Sequence, residues 1–236
     1  MLRLGVLPEG YIYPKAERAV RDVLRKRAHL VRQQTATVLR LQNILVRNTG
    51  VRLSAKRMHA LTREEIERLL PEPAHVLAVT SSLAVLHCLE QQMKTVEKLV
   101  HTRLKHPPAY AQLQTVEGIG TILAQTIVLE TGDMRRFPTV GQYASYCRCV
   151  QSPKISHGKR KGQGNVKNGH PYLAWASMEA AQFAIRFSPT VPRLYQRQQA
   201  KSHRLVARKA VAHTLARACD YILRDLMPFD VHNAFG

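Results

Sequence analysis

Apolar positions recur at intervals of three, four and seven along the first part of the chain: Ala16, Val20, Val23, Leu24, Leu30, Val31, Val38, Leu41 and Leu45. That period is helical. Pro14 stands at a permitted first-turn position, and no glycine or proline intervenes before Gly50. The pattern therefore predicts one helix of about 33 residues, about 50 Å long, which Asn48-Thr49-Gly50 ends through a C-terminal glycine. Thr62-Arg63-Glu64-Glu65 has the form of a capping box and predicts a short helix to Leu70, stopped by Pro71 and Pro73. A second long helix is predicted from about residue 74 to 105, with Val76, Val79, Leu83, Leu86, Leu89, Met93, Val96, Leu99 and Val100 on one face. Two long helices joined by a short connection form an antiparallel pair, most simply a coiled-coil arm over residues 1–107.

From residue 108 the pattern changes. A short helix leads to Gly118-Ile119-Gly120, and a strongly apolar helix starts near Thr121. Further helices are predicted over about 140–147, from Pro171 to about Ile185, and, as one or two pieces, over 193–226. Residues 151–171 read as a polar, glycine-rich loop. The fold class expected is mainly α, with a helical arm (1–107) followed by a compact helical domain (108–236).

Charge sharpens this picture. Lys plus Arg number 36 against 16 Asp plus Glu, a formal net charge of +20 in 236 residues. With 45% hydrophobic residues the chain is no disordered basic tail. Such an excess points to a polyanionic partner. Part of it lies on the first helix and just beyond, where Lys15, Arg18, Arg21, Arg25, Lys26, Arg27, Arg32, Arg40, Arg47, Arg52, Lys56 and Arg57 face only Glu17 and Asp22. A solvated face normally mixes signs, so a one-signed rod suits a phosphate backbone better. A second part lies between Arg193 and Arg224, where eight basic residues meet only Asp220.

The composition also narrows the chemistry. No run of about 18 apolar residues occurs, so no membrane-spanning helix or membrane partner is expected, and the N-terminus lacks a signal-peptide core. The cytoplasm is the expected location. Cys147 and Cys149 form a lone C-x-C with no second pair, so Cys88, Cys147, Cys149 and Cys219 are expected as plain thiols and no metal site is predicted. Neither a Walker loop nor a dinucleotide-binding glycine motif is present.

Two segments carry candidate chemistry. Val116-Glu117-Gly118-Ile119-Gly120-Thr121 fits a helix-hairpin-helix. Gly118 and Gly120 permit the turn, and the helix opening at Thr121 offers free N–H groups to a DNA phosphate without reading sequence. The alternative is a plain glycine turn between core helices. The second segment, 151–170, holds Lys154, Lys159, Arg160, Lys161 and Lys167 with Gly158, Gly162, Gly164, Gly169 and Asn168, and no acid. It is suited to gripping a polyanion. Ser152 and Ser156 sit within it. A serine becomes a nucleophile only with a base, a metal or a cationic field, and most loop serines are simply solvated.

Several stretches in order resemble one family: L-R-L-G-V-L-P-E-G-Y-I-Y-P at 2–14, V-E-G-I-G-T-I-L-A at 116–124, R-F-P-T-V-G-Q-Y-A-S-Y-C-R at 136–148, and S-H-G-K-R-K-G-Q-G-N-V-K-N-G-H-P-Y-L-A-W-A at 156–176. They look like the transposases of the insertion sequence one-ten family, the bridge-RNA-guided recombinases of bacterial mobile elements. The resemblance implies two catalytic parts. A RuvC-like domain holds a divalent metal (Mg) on an Asp-Glu-Asp-Asp set, and a second domain supplies a nucleophilic serine, here Ser156, that forms a phosphoserine link to DNA. It also implies DNA, a guide RNA and a homo-oligomer built through the arm. The match to the linker at residues 2–5 implies that this chain starts where the carboxylate domain ends. The metal would then belong to that domain, and the chain would be a truncated transposase inactive by itself. His157, although beside Ser156, is not expected to act as its base, because sequence neighbours rarely face each other correctly. The rival expectation is a non-catalytic basic module that binds DNA or RNA.

Overall fold

The computed structural model describes residues 10–104, 107–150, 153–163 and 168–235. The fold is mainly α, as the hydrophobic periodicity predicts, and divides into two units. Residues 18–104 form one. Residues 10–17, together with those from 107 onward, form the other.

The first unit is built on α1 (Lys15–Thr49) and α4 (Pro73–Arg103). Arg27 Nε donates to Glu97 Oε1 at 2.6 Å, and Gln34 Nε2 donates to Glu90 Oε1 at 3.4 Å. One index rises by seven as the other falls by seven, so the two helices run antiparallel with a heptad between the bridges. Two short helices occupy the connection: α2 (Ala55–His59) and α3 (Arg63–Leu69). The sequence pattern reveals only the second of them. Ser54 caps α2, accepting from the Arg57 N–H. The predicted capping box opens α3, with Thr62 and Glu65 satisfying each other's backbone N–H groups. These pieces close a small core of Leu41, Leu45, Met58, Leu61, Ile66, Leu70, Val79, Leu83 and Leu86. Full burial of a leucine such as Leu86 makes its truncation to alanine cost about 2–5 kcal/mol.

α4 corrects one expectation. Among the described residues it is the one helix long and apolar enough to cross a membrane by length and composition. Residues of weak polarity such as Thr80 and Ser81 break the apolar run without pulling its average far down. Its Val79, Leu83 and Leu86 are spent on the protein core just described.

The second unit comprises α5 (Pro108–Leu113), α6 (Thr121–Thr131), a 3-10 turn (Met134–Arg136), α7 (Val140–Tyr146), strands β1 (Pro153–Ser156) and β2 (Lys159–Gln163), and then α8 (Pro171–Phe187), α9 (Val191–Gln199), α10 (Arg204–Asp225) and α11 (Val231–Phe235). α6 is buried almost all round, burying Leu123, Ala124, Gln125, Ile127, Leu129 and Glu130 among others. α10 packs on α7, α8 and α9. It meets α8 with small side chains on both helices: Ala176, Ala180, Ala181 and Ala184 on α8, and Ala207, Val211, Ala212 and Ala216 on α10, all buried. Such residues let helix axes approach closely. Buried Asp220 on α10 accepts both Nε (3.2 Å) and Nη2 (2.9 Å) of Arg224, whose Nη2 also donates to the Phe137 carbonyl at 2.8 Å. This ties the last helical turns to the segment before α7.

Candidate functional site

The segment expected to be a loop is instead an antiparallel ribbon. Ser156 pairs with Lys159 and Ile155 with Arg160, leaving His157 and Gly158 as a two-residue turn. Both turn residues have positive φ, 52° and 69°. Two successive left-handed residues make the turn whose twist suits a hairpin. Farther from the turn the register shifts, with Pro153 opposite Gln163, and Gly162 at φ 132° absorbs the extra residue as a bulge. The hairpin signal available in the sequence was His-Gly between short polar runs. The absence of apolar alternation hid the strands, since Ile155 is 64% exposed and packs into no core.

Both stems of the ribbon are pinned to the end of α7. On the entry side the Cys149 N–H donates to the Ala144 carbonyl at 3.0 Å, and Cys149 is buried. On the return side the His170 N–H donates to the Tyr146 carbonyl at 2.7 Å, and Arg148 Nη2 donates to the Gly169 carbonyl at 3.0 Å. Gly169 has φ 93°, and a Cβ there would lie 2.6 Å from the Tyr146 oxygen, so only glycine fits. His170 then caps α8, its Nδ1 accepting from the Leu173 N–H at 3.5 Å. That role puts the ring proton on Nε2, which lies 3.3 Å from Oε2 of buried Glu130 on α6. The His170 ring lies against Tyr146, at 5.4 Å between centroids. The Arg136 guanidinium sits over Tyr146, Phe137 and Tyr11, at 4.5, 4.3 and 4.2 Å from the ring centroids, and donates to the Thr131 carbonyl. A compact base from four elements thus carries the ribbon. Glu130, Arg136, Tyr146 and His170 support the ribbon; the sequence patterns do not reveal them, because no spacing rule links them.

Ser156 ends β1, with its Oγ 3.1 Å from His157 Nδ1. Lys154, two residues back, and Lys159, directly across, belong to its face of the ribbon, and both are exposed. Ammonium groups so placed favour negative charge on the serine oxygen or on a phosphate beside it. Lys161 and Asn168 are exposed as well. Arg160 stands opposite Ile155 in register, and Lys167 lies outside the described residues. The ribbon therefore brings Ser156, Lys154 and Lys159 together.

The glycine turn occupies another part of the unit. Gly118 has φ 94°, and a Cβ there would lie 2.3 Å from the Ala180 carbonyl oxygen and 2.7 Å from the Ala184 nitrogen, so this glycine serves the packing of the turn on α8. Gly120, at the cap of α6, and Thr121 are exposed. No side chain caps the first N–H groups of α6, and Gln114 Nε2 donates to Thr121 Oγ1 at 3.2 Å.

The residues present do not fit a divalent metal. Among the described residues no group of three or more His, Cys, Asp or Glu side chains could hold one. Glu130 is engaged by His170, Asp133 by Arg135 and Asp220 by Arg224.

Comparison with known proteins gives this arrangement a lineage. The model of the Transposase IS116/IS110/IS902 family matches residues 110–196, a span that runs from α5 into α9 and contains the whole ribbon. The chain is also similar to an uncharacterized 43.6 kDa protein of insertion element IS110 from Streptomyces coelicolor. They are 26% identical over 126 residues, which cover 53% of this chain and 30% of that protein. The chain thus aligns with less than a third of that relative's length. The glycine turn, the cationic serine ribbon and the supporting residues Glu130, Arg136, Tyr146 and His170 all fall inside the matched span, so this part of the chain is similar to the transposase domain of the IS110 family.

Proposed function

We propose that this chain binds DNA through its cationic surfaces and presents Ser156 as the nucleophile for strand cleavage and exchange in insertion-sequence transposition. One observation carries the reading: inside the matched transposase span, Ser156 stands at the end of an acid-free ribbon with lysines on its own face. The serine oxygen forms a bond to phosphorus. The departing deoxyribose oxygen leaves with the P–O electron pair and takes up a proton, so one hydroxyl is consumed and one released. The bond energy is stored in the phosphoserine link, and no nucleotide hydrolysis is required. The exposed start of α6 at Gly120 and Thr121, read as a helix-hairpin-helix, adds a sequence-blind phosphate contact. A guide RNA, a divalent metal on carboxylates outside this chain, a homo-oligomer joined through the α1–α4 arm and a cytoplasmic setting complete the proposal.

The test is trapping of a covalent protein–DNA adduct in cells that carry the element, with the attachment mapped by mass spectrometry. The expected result is an adduct on Ser156 that Ser156→Ala abolishes. An adduct on another residue, or one that survives the substitution, overturns the assignment.

A further inference from the structure

Adjacent residues of a strand point to opposite faces, so a serine and the residue after it do not ordinarily meet. Here they do: His157 Nδ1 is 3.1 Å from Ser156 Oγ. The reason lies in the turn. His157 leaves the strand with φ 52°, in the left-handed region that glycine and asparagine occupy at least cost, and this backbone rotation brings its ring to the preceding side chain. A non-glycine residue held in that region is a form of local strain that concentrates at functional sites.

We propose that His157 is the general base that takes the proton of Ser156, a proposal that rests on the reading of Ser156 as nucleophile. The distance lies within the reach a general base requires. Nδ1 accepts the hydroxyl hydrogen when the ring is neutral with its proton on Nε2. As Oγ bonds to phosphorus, the hydroxyl proton passes to Nδ1, and the imidazolium so formed releases its Nε2 proton to water. In serine triads a carboxylate orients the imidazole. Here no ion pair to His157 occurs among the described residues, and the left-handed backbone at the turn is what brings the ring beside Ser156. Lys154 and Lys159, the charged groups on the same ribbon face, favour the oxyanion rather than compete for the proton.

The experiment uses the full chain and a fluorophosphonate probe, a phosphorus electrophile that needs neither DNA nor metal. Oγ displaces fluoride, which leaves with the bonding electron pair, and the proton goes through Nδ1 to solvent. Mass spectrometry reads labelling at Ser156 against exposed Ser81. Ser156 should label at least tenfold faster than Ser81 in the unaltered chain. His157→Asn preserves the turn, because asparagine is among its preferred residues, and should slow Ser156 labelling about 10²-fold or more. In His157→Gly, added imidazole should restore labelling, which a merely structural role would not allow. Equal labelling of Ser156 in His157→Asn and the unaltered chain, failure of imidazole rescue, or no preference for Ser156 over Ser81 overturns the proposal. The adduct assay keeps the two readings apart: an adduct on Ser156 that forms at full rate in His157→Asn leaves the nucleophile standing and removes only the base.

Discussion

At the scale of single residues, burial separates the reactive groups from the inert ones. Cys147, Cys149 and Cys219 are buried, whereas Cys88 is exposed. Burial pushes the Cys149 thiol up to about 11 and that of Cys219 up to about 12, and it holds Cys147 well above the ordinary thiol range. A thiol-alkylating reagent at pH 8 should therefore modify one cysteine in the folded chain and all four after unfolding, as counted by intact mass. Modification of Cys149 in the folded state would contradict this burial. The same shifts set a sign for stability in alkali. The unfolded chain loses these protons near pH 9, the folded one only near 11 to 12, so stability is full below about pH 9 and falls as pH rises through that window. Asp220 is another residue whose worth lies in burial. Asp220→Ala leaves the Arg224 guanidinium with the Phe137 carbonyl and solvent, and should cost about 1–3 kcal/mol in urea unfolding through the two charge-assisted hydrogen bonds lost. Ser156 could be singled out in the sequence through resemblance and its cationic neighbours. The contact with His157 could not, because a rule about neighbours in strands fails wherever the backbone turns left-handed.

At the scale of elements, helix ends and periods were the clearest signals. The Thr62–Glu65 capping box and the glycine stop at Gly50, φ 71°, are local and were readable as such. Thr62→Ala should cost the first unit about 1 kcal/mol, measurable as a lower thermal midpoint. α2 and the ribbon escaped notice for one reason: each is too short to show a period. Gly118 was read as a turn glycine of a phosphate-binding hairpin, and its left-handed φ fits the turn, while its contact with the α8 backbone adds a packing demand that the sequence did not show. Gly118→Ala should therefore destabilise by about 2–5 kcal/mol, a left-handed alanine adding about 1–2 and the overlap about 1–3. Gly120→Ala, with open space around its Cβ, should cost far less. Equal losses at the two glycines in a denaturant titration would contradict this division of roles.

For the whole molecule, the +20 charge is a statement about ions as much as about partners. Binding that neutralises six phosphates releases their counterions, so the observed affinity should fall with salt at a log–log slope of about −5. A mobility-shift titration between low and moderate salt measures that slope, and a flat response would rule out a phosphate-dominated interface. The cations are spread over several elements: Lys15, Lys26, Arg32, Arg40 and Arg47 are exposed on α1, Lys154 and Lys159 on the ribbon, and Arg193, Arg197 and Arg217 on α9 and α10. Removing the ribbon lysines should lower the slope by about the number of phosphates they touch and leave the rest of the salt dependence in place. Composition announced this charge; its division among surfaces depended on helix faces and a turn that composition does not encode.

The two-residue turn also sets what changes of length the ribbon can tolerate. One residue added within β1 before Ser156 would reverse the parity of the strand and turn the serine, with Lys159 still paired across from it, to the opposite side relative to the stems on α7. Residues added in facing pairs, one couple to each strand, keep the parity and move the tip outward by about 7 Å per two residues. Reach is therefore quantised, and deletions or insertions in this segment should be tolerated only in even, matched steps.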